Sequence, residues 1–377
     1  MEFIVKNIES KKVIWFQGAN QYLIVDIPFY EVFIRFINGV KIDKLMLFCK
    51  DKYRLSSDEA KEILYCSTQL KLRLQNSDSK MSEKVYSKIS SESDWFSYIY
   101  SFNFKEVNVQ FSNDKLREII HPKYIHISDK IDDNRTCENT IVFLEIQGLV
   151  VLQLNDELIG KWTFDEIHLV QGKFAMVLLN CFNDTSDENW MAVLHASTIY
   201  KRNESIVFLG ESGSGKSMAS LLLSLNGYKI LVDDFTPVDV ATKKVFSFPV
   251  GTSIKESMLK EMKPFFPQLE YTLLHSKDSK TKFKYLYPLG WSSFHSIHKE
   301  CKALVFIKYN RIGENKILEI SKIKALEYFI PDSWISPKKE NVSVFLDWVF
   351  SLPCYVLSYS DNEQLVLLID KLNNNEV

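Results

Sequence analysis

The stretch SIVFLGESGSGKSMASLLLSLNGYKILVDDF, Ser205–Phe235, joins two apolar runs through a glycine-rich loop and ends in a pair of acidic residues. Ile206–Leu209 has the composition of a buried strand. A helix is predicted from Lys216 to Leu225, because Asn226-Gly227 is a typical C-terminal stop. Strand, loop, helix and strand in this order predict a βαβ unit, which favours parallel pairing of its two strands. The fold class predicted here is α/β with a mixed sheet.

The loop Gly210–Ser217 satisfies the phosphate-binding consensus G-x-x-x-x-G-K-[ST]. Its glycines let backbone N–H groups converge on phosphate oxygens, and the helix N-terminus adds a partial positive charge. In this consensus the lysine reaches the β- and γ-phosphates, and the last hydroxyl ligates Mg²⁺. A glycine-rich turn that matches by chance is the alternative, which the strand–loop–helix context disfavours. The predicted nucleotide contacts are Gly210, Glu211, Ser212, Gly213, Ser214, Gly215, Lys216, Ser217 and Met218.

Two more signals lie at the ends of apolar runs. Ile230–Asp234 ends in two carboxylates, and the run WMAVLHAS contains His195. A metal bound to a triphosphate needs a carboxylate, and an acceptor hydroxyl needs a base that orients it and takes its proton. Asp233 and Asp234 can divide these tasks, although an Asp-Asp pair can also simply end a strand. A lone histidine such as His195 can equally be a core residue.

The order and spacing of three motifs resemble the HPr kinase/phosphorylase family. These motifs are His-Ala-Ser at a strand end, then FLGESGSGKS, then LVDD. The likeness is strongest to HprK-like relatives in biosynthetic clusters for ribosomally made peptides, and it covers residues 190–240. It implies the fold of the phosphoenolpyruvate-carboxykinase-type P-loop kinases and ATP-dependent phosphorylation of a hydroxyl on a protein or peptide. It places His195 beside the transferred phosphate. It makes Asp233 the base for the acceptor hydroxyl, and Asp234 a ligand of Mg²⁺ together with Ser217.

The chain departs from this family in its later signature, where a metal-binding Glu and a phosphate-binding Arg are not legible. The segment Phe248–Thr252, followed by Lys255, lies at about the distance from the aspartates where the family has this later signature. The resemblance to the cluster-associated relatives implies that Lys255 contacts phosphate, and a solvated lysine at a helix start is the alternative. The catalytic set is then Asp233, His195, Lys216 and Lys255. The missing Glu leaves metal stoichiometry and reverse phosphorolysis open, and HPr itself is not the expected substrate.

The N-terminal part, residues 1–76, predicts a small α+β domain. Two strand-like runs, Val13–Gln17 and Tyr22–Val25, form a hairpin signal, and three helical patterns follow. This order resembles the winged-helix-like PqqD fold, which captures leader peptides by strand addition. A small appendage or a dimerisation unit is the alternative. Residues 77–94, which are rich in serine and charge, predict a solvated linker or one polar helix between the domains. Residues 95–377 are assigned to the kinase domain.

The 377 residues carry a net charge of −2 and are 46% hydrophobic, which predicts a globular protein of about two domains. Near neutrality gives no reason to expect nucleic acid as a partner. The six cysteines show no CxxC pair and the N-terminus no secretory signal pattern, so a cytoplasmic protein without a membrane partner is expected. Between residues 95 and 190, strands are predicted at Ile141–Ile146, Leu149–Leu154 and Phe174–Leu179.

The leading hypothesis is an ATP- and Mg²⁺-dependent kinase that phosphorylates a Ser or Thr hydroxyl of a peptide or protein. The expected partner is a ribosomally made precursor peptide whose leader binds the N-terminal domain. One alternative is a nucleotide-gated peptide-binding module without phosphate transfer, and another is a P-loop kinase for a small-molecule hydroxyl. The sequence leaves the oligomeric state open, a homo-oligomer included.

Overall fold

The computed structural model describes residues 2–76, 95–130, 136–276, 282–287 and 295–377, so the predicted linker 77–94 lies outside the described residues. The chain has a mixed α/β fold and divides into two compact units. None of the described helices is long and apolar enough to cross a membrane. The first unit contains the described residues of Met1–Glu83, Ser321–Pro331 and Ile335–Ser351, and the second those of Lys84–Ile320, Asp332–Trp334 and Leu352–Val377.

The helices and strands are numbered in chain order. The helices are α1 Ile27–Ile37, α2 Ile42–Tyr53, α3 Ser57–Asn76, α4 Asp114–Ile120, α5 Ile167–Asn183, α6 Lys216–Ser224, α7 Leu259–Met262, α8 Lys322–Phe329, α9 Lys339–Ser351 and α10 Asn362–Asn373. The strands are β1 Phe3–Ile8, β2 Lys11–Phe16, β3 Gln21–Asp26, β4 Phe96–Phe102, β5 Lys105–Phe111, β6 Ser128–Lys130, β7 Asn139–Ile146, β8 Leu149–Leu154, β9 Glu157–Thr163, β10 Trp190–Leu194, β11 Ser197–Lys201, β12 Glu204–Leu209, β13 Lys229–Val232, β14 Thr236–Asp239, β15 Lys244–Phe246, β16 Thr252–Lys255, β17 Leu274–Ser276, β18 Lys282–Leu286, β19 His298–Tyr309, β20 Lys316–Glu319, β21 Trp334–Ile335 and β22 Cys354–Tyr359.

The first unit is an antiparallel sheet in the order β1-β2-β3, packed against helices. Alternate residues of the strands face one core, in which Ile14 and Phe16 contact Phe33 of α1 and Leu74 of α3. The predicted hairpin and the three predicted helices are confirmed, whereas the first strand was not predicted. The unit also includes α8 and α9 from the C-terminal part of the chain, which the sequence analysis did not predict.

The second unit contains a six-stranded sheet in the order β6-β4-β5-β7-β8-β9, with α5 packed on it. Its core includes Phe111, Phe143 and Phe174. The strands predicted at Ile141–Ile146 and Leu149–Leu154 are confirmed as β7 and β8. The strand predicted at Phe174–Leu179 is wrong, because this run lies inside α5. All six of its residues are buried, and a helix covered on all sides shows no apolar period that would distinguish it from a buried strand.

The second sheet of this unit carries the glycine-rich loop. Its main order is β13-β11-β12-β19-β15-β14-β10, with β22 also pairing with β19. Helix α6 connects β12 to β13, and the two strands run in the same direction, but the antiparallel β11 lies between them. The predicted direct pairing of the two strands is therefore wrong. The carboxyl ends of β12 and β13 still meet at one sheet edge, together with the start of β11.

Candidate functional site

The glycine-rich loop leaves the buried strand β12 and enters α6 through left-handed backbone. Gly210, Gly213 and Gly215 have φ values of 139°, 87° and 101°, a region that side-chain-bearing residues rarely adopt. The Lys216 ammonium donates to the carbonyl oxygens of Gly210, at 2.5 Å, and Glu211, at 3.2 Å. Burial lowers the pKa of Lys216, against the opposing effect of nearby carboxylates. The loop thus holds a largely desolvated cation, the form that binds phosphate most strongly.

The backbone of the loop at Gly210 packs closely against neighbouring atoms. A Cβ atom on Gly210 would lie 2.8 Å from Ser214 Oγ and 3.2 Å from the Ile307 carbonyl oxygen. Within the described residues, the buried Ser214 hydroxyl has no hydrogen-bond partner. Because buried hydroxyls rarely stay unpaired, this donor fits an oxygen-rich ligand such as phosphate.

Ser217 and Asp233 join the loop to the end of β13. Ser217 Oγ donates to Asp233 Oδ1 over 3.0 Å, and Asp233 is only 3% exposed. Burial, together with the neighbouring carboxylate of Asp234, raises the pKa of Asp233, while hydrogen bonds from Ser197 and Ser217 oppose the shift. The structure therefore pairs Ser217 with Asp233, whereas the family resemblance pairs Ser217 with Asp234.

Asp234 has left-handed backbone, with a φ of 69°. Its carboxylate accepts from Lys123 Nζ at 2.6 Å and lies 3.1 Å from His195 Nδ1. The register explains the second contact, since Leu194 of β10 lies opposite Thr236 of β14, which brings His195 close to Asp234. The Lys123 ammonium lowers the pKa of Asp234, against burial. This carboxylate remains 45% exposed, so it is ionised and open to a substrate.

Lys123 is the site residue that sequence reasoning missed. It belongs to a 3₁₀ helix, His121–Ile127, and its carbonyl oxygen accepts from the Gly251 N–H at 2.9 Å. Burial opposes the charge of its ammonium, but the carboxylate of Asp234 raises the pKa of Lys123 above its usual range. The segment HPKYIHI matches no phosphate-binding consensus and precedes Asp234 by 111 residues, so nothing in the local sequence marks it.

Two further predicted residues, Lys255 and Met218, have no described side-chain contact with the other site residues. Lys255 is exposed at the end of β16, and among the described contacts no hydrogen bond or ion pair joins its side chain to the site. The neighbouring Ile254 packs on Leu221 of α6, so β16 lies along this helix. The side chain of Met218 packs against the same apolar cluster, which leaves its backbone for any ligand contact. The structure thus brings together His195, Lys216, Ser217, Asp233 and Asp234, with Lys123 added.

The donor atoms at this edge suit one kind of metal ion. Within the described part of the chain, no group of three or more His, Cys, Asp or Glu side chains could hold a metal. Ser217 and Asp233 offer hard oxygen ligands, and Mg²⁺ usually takes one or two protein oxygens and completes its shell with water and substrate phosphates. The pair fits Mg²⁺ that arrives with a nucleotide.

Comparison of the chain with models of known protein families and with curated proteins gives no match. The functional interpretation is therefore based on the chemistry of this sheet edge. A desolvated lysine, an unpaired hydroxyl in a glycine-rich loop, a buried carboxylate and an exposed one are the groups needed to bind a nucleotide and to present an acceptor to it.

Proposed function

We propose that this protein is an ATP-dependent kinase of the HPr kinase-like type, which transfers the γ-phosphate to a Ser or Thr hydroxyl of a peptide or protein. The observation that carries the proposal is the 3.0 Å hydrogen bond between Ser217 and Asp233. It joins a phosphate-binding consensus to an aspartate pair at one sheet edge, although the two motifs lie on strands that do not pair directly.

The loop residues divide the binding of ATP among them. Backbone N–H groups of the loop, the Ser214 hydroxyl and the Lys216 ammonium hold the phosphates. Ser217 and Asp233 would hold Mg²⁺, which would neutralise charge on the phosphates. Because Asp233 is buried and hydrogen-bonded to Ser217, it suits a fixed ligand better than a base that must meet a second substrate.

Asp234 is the group that meets the acceptor. Its exposed carboxylate orients the acceptor hydroxyl, whose oxygen attacks the γ-phosphorus while the bond to the bridging β–γ oxygen breaks. The hydroxyl proton passes to Asp234, as to the catalytic carboxylate of protein kinases. Lys123 and His195 fix the carboxylate from two sides. Asp233 and Asp234 thereby exchange the roles that the family resemblance implies.

The N-terminal unit supports a peptide as the partner. Its antiparallel three-stranded sheet and its helices α1–α3 are consistent with a PqqD-like module. Among the described strands, β1 and β3 form the edges of this sheet, and an extended peptide can add to such an edge through backbone hydrogen bonds. A bound leader would keep the acceptor part of the same peptide at high effective concentration near the kinase.

Intact-mass spectrometry tests the proposal. A candidate precursor peptide is incubated with the protein, ATP and Mg²⁺, and the expected gain is about 80 Da for each phosphate added. Lys216→Ala should abolish the gain, while Lys260→Ala, a control on α7, should leave it unchanged. No gain in the wild type, with ATP binding demonstrated separately, would reject this transfer and favour nucleotide-gated binding or a small-molecule acceptor.

A further inference from the structure

Tyr309 places an aromatic ring beside the phosphate loop. It ends β19, and its N–H donates to the Ser214 carbonyl oxygen at 3.2 Å. A Cβ atom on Gly215 would lie 3.4 Å from the Tyr309 Cβ and 3.3 Å from the Tyr359 hydroxyl. The Tyr359 ring, with its centroid 5.3 Å away, supports the ring of Tyr309. Tyr359 is 2% exposed, whereas Tyr309 is 44% exposed. The buried ring of Tyr359 therefore packs against the solvent-exposed ring of Tyr309.

The carboxyl end of β19, where Tyr309 lies, and that of β13, which Asp233 follows, are on opposite sides of β12 in the sheet. Strand β12 has β11 and then β13 on one side and β19 on the other. Ser217 and Asp233, the proposed metal ligands, lie on the β13 side of β12. The terminal phosphates of a bound nucleotide, which share the metal, are therefore expected on that side. A nucleotide whose terminal phosphates lie there can extend its nucleoside toward the β19 side, along the carboxyl edge where open α/β sheets bind ligands.

The loop after Tyr309 adds an apolar surface and an anchor. Ile312 is 97% exposed, and the Arg311 guanidinium donates to Glu261 of α7 at 3.2 Å. The Asn310 N–H donates to the Tyr359 carbonyl oxygen at 3.0 Å, which fixes the start of the loop to β22. A planar, largely apolar ligand group therefore finds an anchored ring beside the phosphate loop, and an exposed aliphatic side chain three residues later in the chain.

We infer that the purine base of ATP stacks on Tyr309, an inference that rests on the nucleotide binding proposed above. Aromatic rings attract the faces of nucleobases by stacking, whereas the loop and the metal ligands hold the phosphates. The contribution of Tyr309 should therefore appear with a nucleotide and be absent with a ligand that has phosphates but no base.

Isothermal titration calorimetry of the full chain with Mg²⁺ separates the two contributions, with ATP and inorganic tripolyphosphate as the ligands. Tyr309→Ala should weaken ATP binding about tenfold, within the range of one base–aromatic stack, and leave tripolyphosphate binding unchanged. Tyr309→Phe keeps the ring and should bind ATP like the wild type. Tyr271→Ala, which removes a tyrosine that is 86% exposed, is the matched control and should change neither affinity.

Three outcomes would overturn the inference. ATP binding by Tyr309→Ala at wild-type affinity would show that the base lies elsewhere, with the phosphate loop still supported. An equal loss of ATP and tripolyphosphate affinity would assign Tyr309 to the shape of the loop. Failure of the wild-type chain to bind either ligand would reject the proposed nucleotide site itself, and the base contact with it.

Discussion

Asp233 and Asp234 are neighbours in the sequence but lie in opposite electrostatic environments. Burial raises the pKa of Asp233, whereas the Lys123 ammonium lowers that of Asp234. Asp234 contacts Lys123 and His195, whereas Asp233 accepts a hydrogen bond from Ser217 of the phosphate loop. Carboxylates whose pKa values are driven apart in this way commonly perform different tasks in one site, which is why we assign the metal to one and the acceptor to the other.

Replacement of Asp233 by Asn should stabilise the fold and impair the site. The raised pKa means that ionised Asp233 costs folding free energy near neutral pH, a cost that vanishes as pH falls and the carboxyl is protonated in both folded and unfolded chains. Asp233→Asn should therefore melt at a higher temperature than the wild type at pH 7 but not at pH 3. Its Mg²⁺-dependent ATP affinity should fall, because a carboxylate ligand of the metal loses its charge. Thermal melts and calorimetry measure both effects, and a lower melting temperature at pH 7 would contradict the assignment.

Removal of the Lys123 charge should change how stability depends on pH. The lowered pKa of Asp234 contributes stability that is present above the unfolded pKa of Asp, about 3.9, and is lost as pH falls through the folded value. Lys123→Met should thus melt below the wild type at pH 6 to 7 (about the range where the pair is fully charged), and the difference should shrink in acid. Lys123→Arg, which keeps the cation, is the control. A difference that does not depend on pH would mean that lost packing, and not the ion pair, causes the effect.

Short motifs and periodic helices could be predicted from the sequence, while contacts between distant segments could not. The loop Gly210–Ser217 and the helix after it follow from local chemistry, and α1 to α3 follow from apolar periodicity. The insertion of β11 between β12 and β13 depends on which strands pair, and no local signal encodes it. Lys123 reaches Asp234 through the fold of the six-stranded sheet and its 3₁₀ helix, so its role becomes visible only in three dimensions.

Replacement of glycine in the turn from β12 into α6 should cost a different amount of stability at each position. A side chain in left-handed backbone costs about 1–2 kcal/mol, and Gly213→Ala should show this cost alone, since no atom lies within 4 Å of its added Cβ. Gly215→Ala should cost more, because Tyr309 and Tyr359 crowd the added atom. Gly172→Ala, inside α5 and without neighbours within 4 Å, is the control and should stabilise by about 0.5–1 kcal/mol. Urea unfolding measures all three, and equal costs at the two loop glycines would contradict the crowding.

The first unit combines the N-terminal segment with segments between Ser321 and Ser351, which limits what its N-terminal sequence can do alone. Tyr22 of β3 packs edge-on against Phe345 of α9, with ring centroids 6.3 Å apart. Lys6 of β1 forms an ion pair with Asp347 at 2.8 Å. A peptide-binding unit defined as residues 1–76 would lose these partners, although the sequence pattern of that segment looks complete.

Truncation of the chain to residues 1–76 and the core substitution Phe345→Ala should therefore both destabilise the sheet β1–β3. Phe345 is fully buried, and Phe345→Ala should cost about 3–5 kcal/mol. Hydrogen exchange should then accelerate in β1–β3 of the full-length variant and in an isolated fragment of residues 1–76. Phe104→Ala, at a ring that is 69% exposed in the second unit, is the control and should leave this exchange unchanged. If the fragment kept the protection that β1–β3 have in the full chain, α9 would be dispensable and the N-terminal segment would fold as an independent peptide-binding module.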